Sequence, residues 1–121
     1  MAAHWLRKAA EAGDPLAQYG LGLLYYQGNG VPQDFSVALR WYRAAAKGGN
    51  AEAFNNIGVM YGLGEGVPKD MIEAYAWFAM GAVHGDPKAT SNRDATAKQL
   101  SAKQLAEGRK RLEALRAALG G

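Results

Sequence analysis

"QGNGVPQD" occupies Gln27 to Asp34, and "LGEGVPKD" occupies Leu63 to Asp70, thirty-six positions later. A glycine-rich loop ahead of a helix can cradle a phosphate on its backbone N–H groups. It can also simply turn the chain. A phosphate-binding loop follows a strand within a βαβ unit, and a P-loop ends in Lys-Ser/Thr. Both copies here follow a helical pattern and end in aspartate. Each residue shared by the two copies has a turning role instead. Gly28 and Gly64 close a first helix, and Gly30 and Gly66 supply positive φ. Val31 and Val67 tuck under the turn. Pro32 and Pro68 stop the first helix, and Asp34 and Asp70 cap the second.

The repetition extends well beyond the loop. Residues 14–49 laid on 50–85 pair Ala17/Ala53, Gly22/Gly58, Tyr25/Tyr61, Ala38/Ala74, Trp41/Trp77, Ala46/Ala82 and Gly49/Gly85, besides the loop itself. Leu21/Ile57, Leu24/Met60 and Tyr42/Phe78 are conservative matches. Ala2, Trp5, Arg7, Ala9, Ala10 and Gly13 match Ala38, Trp41, Arg43, Ala45, Ala46 and Gly49. The register therefore predicts that residues 1–13 form the second helix of a preceding unit, 14–49 and 50–85 two full units, and 86–121 a degenerate last unit. On this expectation the chain is part of a longer array.

Each unit reads as two helices. Ala17, Leu21, Leu24, Tyr25 and Gly28 fall on one helical face, and so do Ala38, Trp41, Tyr42, Ala45 and Ala46. Asp14-Pro15 and Asp86-Pro87 put a capping acid before a proline at the first helical position. Asn50 caps the middle unit, and Glu73 stands where the partner of a capping box belongs.

The motif Ala-x3-Leu/Ile-Gly-x2-Tyr-x2-Gly-x-Gly-Val-Pro-x-Asp-x3-Ala-x2-Trp-x4-Ala-x2-Gly resembles the Sel-one-like repeat, a relative of the tetratricopeptide repeat. The likeness covers roughly residues 1–92. It implies an all-α fold: a short right-handed α-solenoid of antiparallel helix pairs with a 36-residue repeat and a C-terminal capping hairpin. Gly22, Gly58, Ala38 and Ala74 would let paired helices approach. Trp41, Trp77, Tyr25 and Tyr61 would fill the spaces between pairs.

Residues 86–121 start in register at Ala89 and Asn92, then depart. Arg93, Asp94 and Ala97 replace the apolar residue, the glycine and the tyrosine. Ser101 and Gln104 offer a capping box. Leu105, Leu112, Leu115 and Leu119 form a stripe, with Lys103, Arg109, Lys110, Arg111 and Arg116 expected on the solvent side. Asn92, Arg93 and Asp94 are expected to tie down the last turn by hydrogen bonds.

Composition narrows the function. A 49% hydrophobic share supports a packed core. No run is apolar and long enough for a membrane span. "MAAHWLRKAAEAG" is not a signal peptide, because charges interrupt it. The absence of cysteine rules out disulfides and thiolate chemistry. It leaves the compartment open between cytoplasm, periplasm and secretion. The net charge of +3 comes from residues 86–121, with 8 basic against 4 acidic residues, while residues 1–85 hold 6 against 7. No aromatic residue follows Phe78, so those charges lack a stacking platform and nucleic acid is not the expected partner.

No catalytic, cofactor or metal residues are predicted. His4 and His84 stand eighty positions apart, and Ser36, Ser91 and Ser101 have no patterned base. The carboxylates Asp14, Asp34, Asp70 and Asp86 recur as caps. Hydrolytic relatives of the repeat resemble cysteine-rich chains, and this chain has none. The resemblance instead implies a non-catalytic adaptor, with bacterial relatives in signalling, envelope or host contact. It also implies that first helices line a concave face for a peptide. Carried over, that face is Leu16, Tyr19, Leu23, Tyr26 and Gln27, then Glu52, Asn55, Asn56, Val59, Gly62 and Leu63, then Lys88, Ser91, Ala95 and Lys98. The alternative is a structural cap of a longer array that self-associates through Trp5 and Leu6 at its N-terminal edge.

Overall fold

The computed structural model describes residues 2–119. Met1 and Gly121, the outer bounds of the expected first and last units, lie outside the described residues. Among the described residues there are seven α-helices and no strand: α1 (Ala2–Glu11), α2 (Pro15–Gln27), α3 (Phe35–Lys47), α4 (Ala51–Leu63), α5 (Met71–Val83), α6 (Pro87–Ala97) and α7 (Ala102–Leu119). The chain is an all-α solenoid. α2 packs on α3 and α4 on α5 within a unit, while α1–α2, α3–α4 and α5–α6 join one unit to the next.

The helices start where side chains satisfy their free N–H groups. Asp14 Oδ1 accepts from Leu16 N at 3.0 Å, Asp34 Oδ1 from Val37 N at 3.1 Å, and Asn50 Oδ1 from Ala53 N at 2.9 Å. Asp70 Oδ1 accepts from Ile72 N and Glu73 N, and Asp86 Oδ2 from Ala89 N. Ser101 and Gln104 form a reciprocal box at 2.9 and 3.1 Å. The repeated loop is a corner. Gly28 and Gly64 end α2 and α4 at φ 71° and 73°, in the left-handed region that favours glycine.

Glu73 corrects its expected role. No donor is left for it at the start of α5, because the Asp70 N–H already donates to the Tyr61 carbonyl at 2.9 Å. Glu73 instead accepts from Trp77 Nε1 at 3.0 Å and from Arg111 Nη1 at 3.2 Å.

Tyr42, Phe54, Leu21, Ile57, Met60 and Met80 are the largest fully buried side chains. They belong to α2, α3, α4 and α5, so the core runs through both full units. Trp77 is buried, while its equivalent Trp41 is half-buried. Small residues set the spacing. An added Cβ at Gly22 would lie 2.7 Å from Tyr42 Cδ1, and one at Gly58 2.5 Å from Phe78 Cδ1. Each ring of the second helix therefore lies directly on the backbone of the first.

α7 takes its main contacts from α5. Leu112, Leu115 and Leu119 pack half-buried against the core. Gly108 is buried, and a Cβ there would lie 2.7 Å from the Tyr75 ring. Gly108, Arg111, Leu112 and Leu115 share one helical face, which draws Arg111 away from its expected solvent side. Arg111 Nη1 donates to Asp70 Oδ2 at 2.9 Å and to Glu73 Oε1, while its Nε reaches Glu107. Burial pushes the Asp70 carboxyl up. The Glu73 and Ile72 N–H groups and the Arg111 guanidinium outweigh it and hold the carboxyl below the usual range. Arg116 stays exposed on the solvent side, as expected, where it pairs with exposed Glu113 at 3.7 Å.

Candidate functional site

Positions i, i+3 and i+4 of a helix share one face. On α2 these are Leu23, Tyr26 and Gln27, and on α4 they are Val59, Gly62 and Leu63. In the first unit this face opens into a hollow of about 180 Å³. Leu23, Tyr26 and Gln27 form one wall, Tyr42 of α3 the floor, and Asn56 and Val59 of α4 the far wall. A second hollow of about 240 Å³ is lined by Val59, Gly62, Leu63, Phe78, Asn92 and Ala95, together with Met71 and Thr96. Every lining residue of the first hollow has its counterpart, thirty-six positions on, in the second. The hollow is thus a feature of the repeat, set at the seam between one unit and the next.

A third hollow, lined by Pro87, Lys88, Ser91 and Asn92, continues the row along α6. Val59 belongs to the first and second hollows, and Asn92 to the second and third. The three hollows thus follow one another from α2 across α4 to α6, each sharing a wall residue with the next. Among the described residues, none that lines the first two hollows is charged. Lys88 stands exposed in the third.

Two hydroxyls edge the first hollow. Tyr26 donates its hydroxyl to Glu65 Oε1 at 2.5 Å. Burial, reinforced by Glu65, pushes its phenol up to about 12. The Tyr42 hydroxyl is fully buried and has no hydrogen-bond partner among the described residues. Burial likewise pushes it up to about 12.

Other polar side chains join the units. Asn92 Nδ2 donates to Asn55 Oδ1 at 2.8 Å, and Asn56 Nδ2 meets the Tyr19 hydroxyl at 3.5 Å. Both links span thirty-seven positions. Burial raises the Tyr19 phenol, and the Glu52 carboxylate adds to the shift. Arg7 Nη2 donates to the Tyr25 hydroxyl, and Arg43 Nη2 to the Tyr61 hydroxyl. Ala79 and Ala97 take these positions at the last seam, so this tie is absent there.

The structure brings Leu23, Tyr26, Gln27, Asn56, Val59 and Leu63 together around the first two hollows. Lys88 and Ser91 line the third. Leu16 and Glu52 are exposed but line none of the three. Tyr19 is half-buried, with its ring centroid 5.8 Å from that of Tyr42. Asn55 is 8% exposed, and its side-chain oxygen is engaged by Asn92. Arg93 and Asp94 pair with one another at 3.0 Å instead of holding the last turn. The floor residues Tyr42 and Phe78 are absent from the carried-over face, which took first-helix positions only; they reach the seam by lying directly over Gly22 and Gly58. At the N-terminal edge Trp5 is 67% exposed, whereas Leu6 is half-buried and lies where a Gly20 Cβ would be 3.4 Å away.

The Sel1 repeat model matches residues 1–14, 15–50 and 51–86. A protective antigen of uropathogenic Escherichia coli, described as displaying an SLR fold, is 36% identical with a TM-score of 0.91. That match covers 95% of this chain and 25% of the antigen. A Sel1 repeat protein from Oxalobacter formigenes is 42% identical with a TM-score of 0.73, covering 75% of this chain and 37% of that one. The chain thus spans about a quarter and about a third of these two proteins. No curated protein matches it. The repeated loop, the paired helices and the family match over residues 1–86 agree: the chain belongs to the Sel1 repeat family.

Proposed function

We propose that this chain is a non-catalytic protein-interaction scaffold that binds a polypeptide segment along the row of hollows on its first helices. One observation carries this reading: the hollow recurs in successive units with equivalent lining residues. A chain laid along α2, α4 and α6 meets an apolar socket at each of the first two seams and a polar hollow beyond them. The family supports it, since Sel1 repeat folds commonly serve protein–protein interaction. The first two sockets are uncharged and supply affinity through apolar burial at their centres. Exposed Gln27 and Lys88 supply polar contacts at the rim.

The test is selection of binders from a random peptide display library. Val59 is shared by two sockets, so Val59→Arg places a charge between them. Enriched peptides should lose affinity for this variant while its thermal unfolding stays cooperative. Peptides that bind wild type and Val59→Arg equally would sink the reading, and so would no enrichment over an unrelated helical scaffold.

A second reading rests on Trp5. Its ring is exposed at the N-terminal edge, with Lys8 Nζ 5.9 Å from the ring centroid. An exposed large ring favours association through this edge, with a second copy as the simplest partner. Sedimentation should then show a concentration-dependent dimer that Trp5→Ala abolishes. A monomer at every concentration tested rules it out.

A further inference from the structure

The two equivalent hollows are filled differently. In the first unit the Tyr26 ring covers Phe35 at a centroid distance of 5.2 Å and approaches Tyr42 at 6.5 Å. Thirty-six positions on, these three residues become Gly62, Met71 and Phe78. The covering ring is gone. Met71 and Phe78 line the second hollow directly, and the space is larger. A Cβ on Gly62 would meet nothing nearer than Ala74 Cβ at 3.8 Å and Met71 Sδ at 3.9 Å, so the opening begins at the helix backbone. Leu63, 64% exposed, replaces Gln27 on the rim. The first unit thus seats an aromatic ring at the point of the repeat that Gly62 leaves open.

The lining also indicates what fits. It carries no charge, and a charged group placed there would lose its hydration without a partner. A thioether and a phenyl ring on the inner wall suit an aromatic face or edge. The Tyr26 hydroxyl finds Glu65, but the equivalent position is Ser101, whose Oγ already accepts from Gln104 N. The ring is therefore the recognised part, with or without its hydroxyl. Past Asn92 the path reaches Lys88, which makes no ion pair among the described residues.

We propose that the hollow over Gly62 receives an aromatic side chain of a partner polypeptide, in the place Tyr26 fills in the preceding unit, and that a carboxylate on the same segment meets Lys88. This rests on the reading of the row as a peptide-binding path and names the partner's chemistry. The segment is an aromatic residue with an acidic neighbour. The charge complementarity is with Lys88, and the ring complementarity is with Met71 and Phe78.

The probes are acetylated amides of phenylalanine, tyrosine and leucine, and acetylated Phe-Gly-Asp and Phe-Gly-Lys amides. They are titrated by NMR against the full chain. Phenylalanine and tyrosine amides should shift the Gly62 amide and Met71 methyl signals saturably, about tenfold more tightly than the leucine amide. Gly62→Tyr, which supplies the ring internally, should abolish those shifts, whereas Gly62→Ala should keep them. Ala95→Tyr closes the hollow from the opposite wall and serves if Gly62→Tyr fails to fold. The acidic peptide should bind more tightly than the basic one, and Lys88→Ala should erase that difference.

Three results would overturn the proposal: equal binding of the leucine amide, no shifts at all, or shifts at Leu23 and Tyr26 alone that persist in Gly62→Tyr. The last leaves the wider path standing. Ring amides that titrate Gly62 while selected peptides ignore Val59→Arg would uphold the aromatic hollow and remove the wider path.

Discussion

The Asn92 side-chain amide of α6 donates to Asn55 Oδ1 of α4 at 2.8 Å, at a site where Asn55 is almost closed to solvent. The Asn56–Tyr19 contact occupies the same place one unit earlier, at 3.5 Å and with both residues half-buried. The seam between units therefore carries a polar link whose dependence on a single donor grows toward the C-terminal end. Removing Asn92 leaves a buried acceptor without a partner.

Asn92→Ala should therefore destabilise the chain by about 1–3 kcal/mol, the cost of an unsatisfied buried polar group. Asn56→Ala should cost under about 1 kcal/mol, because its contact is long and water can replace it. Urea unfolding of the two variants checks the order. Equal losses would show that the Asn55 acceptor is not what the last seam depends on.

Gly58 and Gly62 lie one turn apart on α4 and should respond oppositely to alanine. A methyl at Gly58 would meet the Phe78 ring at 2.5 Å and force the helix pair apart, at about 1–3 kcal/mol. A methyl at Gly62 meets only ordinary contacts at 3.8 and 3.9 Å. Gly62→Ala should thus stabilise by roughly 0.5–1 kcal/mol through helix propensity. Thermal unfolding reads both.

The Tyr42 hydroxyl is buried without a partner among the described residues, and phenylalanine already stands at the equivalent position 78. Tyr42→Phe should be neutral or stabilising by up to about 1 kcal/mol. Its raised pKa gives a second signature. An unfolded tyrosine ionises near 10.0, and burial pushes this one up to about 12. Its contribution is complete below pH 10 and is lost as the pH rises toward 12. Tyr42→Phe should flatten the alkaline loss of stability over that window, leaving the share that Tyr26 contributes in the same range. Denaturation at stepped alkaline pH measures it.

Asp70 has the opposite sign. Its carboxyl is held below the usual carboxylate value of 3.8, so its contribution is present above that pH and is lost as the pH falls through the lower folded value. Arg111→Gln should reduce the stability difference between neutral pH and the acid range. It should do little once Asp70 is already Asn. Additive losses in the double variant would show that the pair does not couple α7 to α5.

Much of this architecture was legible because it is written twice. The loop from Gln27 to Asp34 and its copy fixed the corner, and Asp14, Asp34, Asn50, Asp70 and Asp86 announced the helix starts. Glu73 and Arg111 were not legible. Their partners lie 38 positions apart on helices that local spacing cannot bring together. The first-helix side of the hollows followed from i, i+3, i+4 spacing. The floor did not, because the closeness of Tyr42 to α2 depends on an absent side chain at Gly22. Tyr19 and Asn55 differ between units and look outward on that ground. In the fold the difference reflects two ways of bridging the same seam.

The recurrence of the hollow also bears on length. If each unit offers one socket, the stack measures a bound chain as a ruler measures, by equal divisions. Exchanging the residue at position 26 or 62 re-labels one division and leaves the scale intact. Inserting or deleting a whole unit instead changes how long a segment can be read.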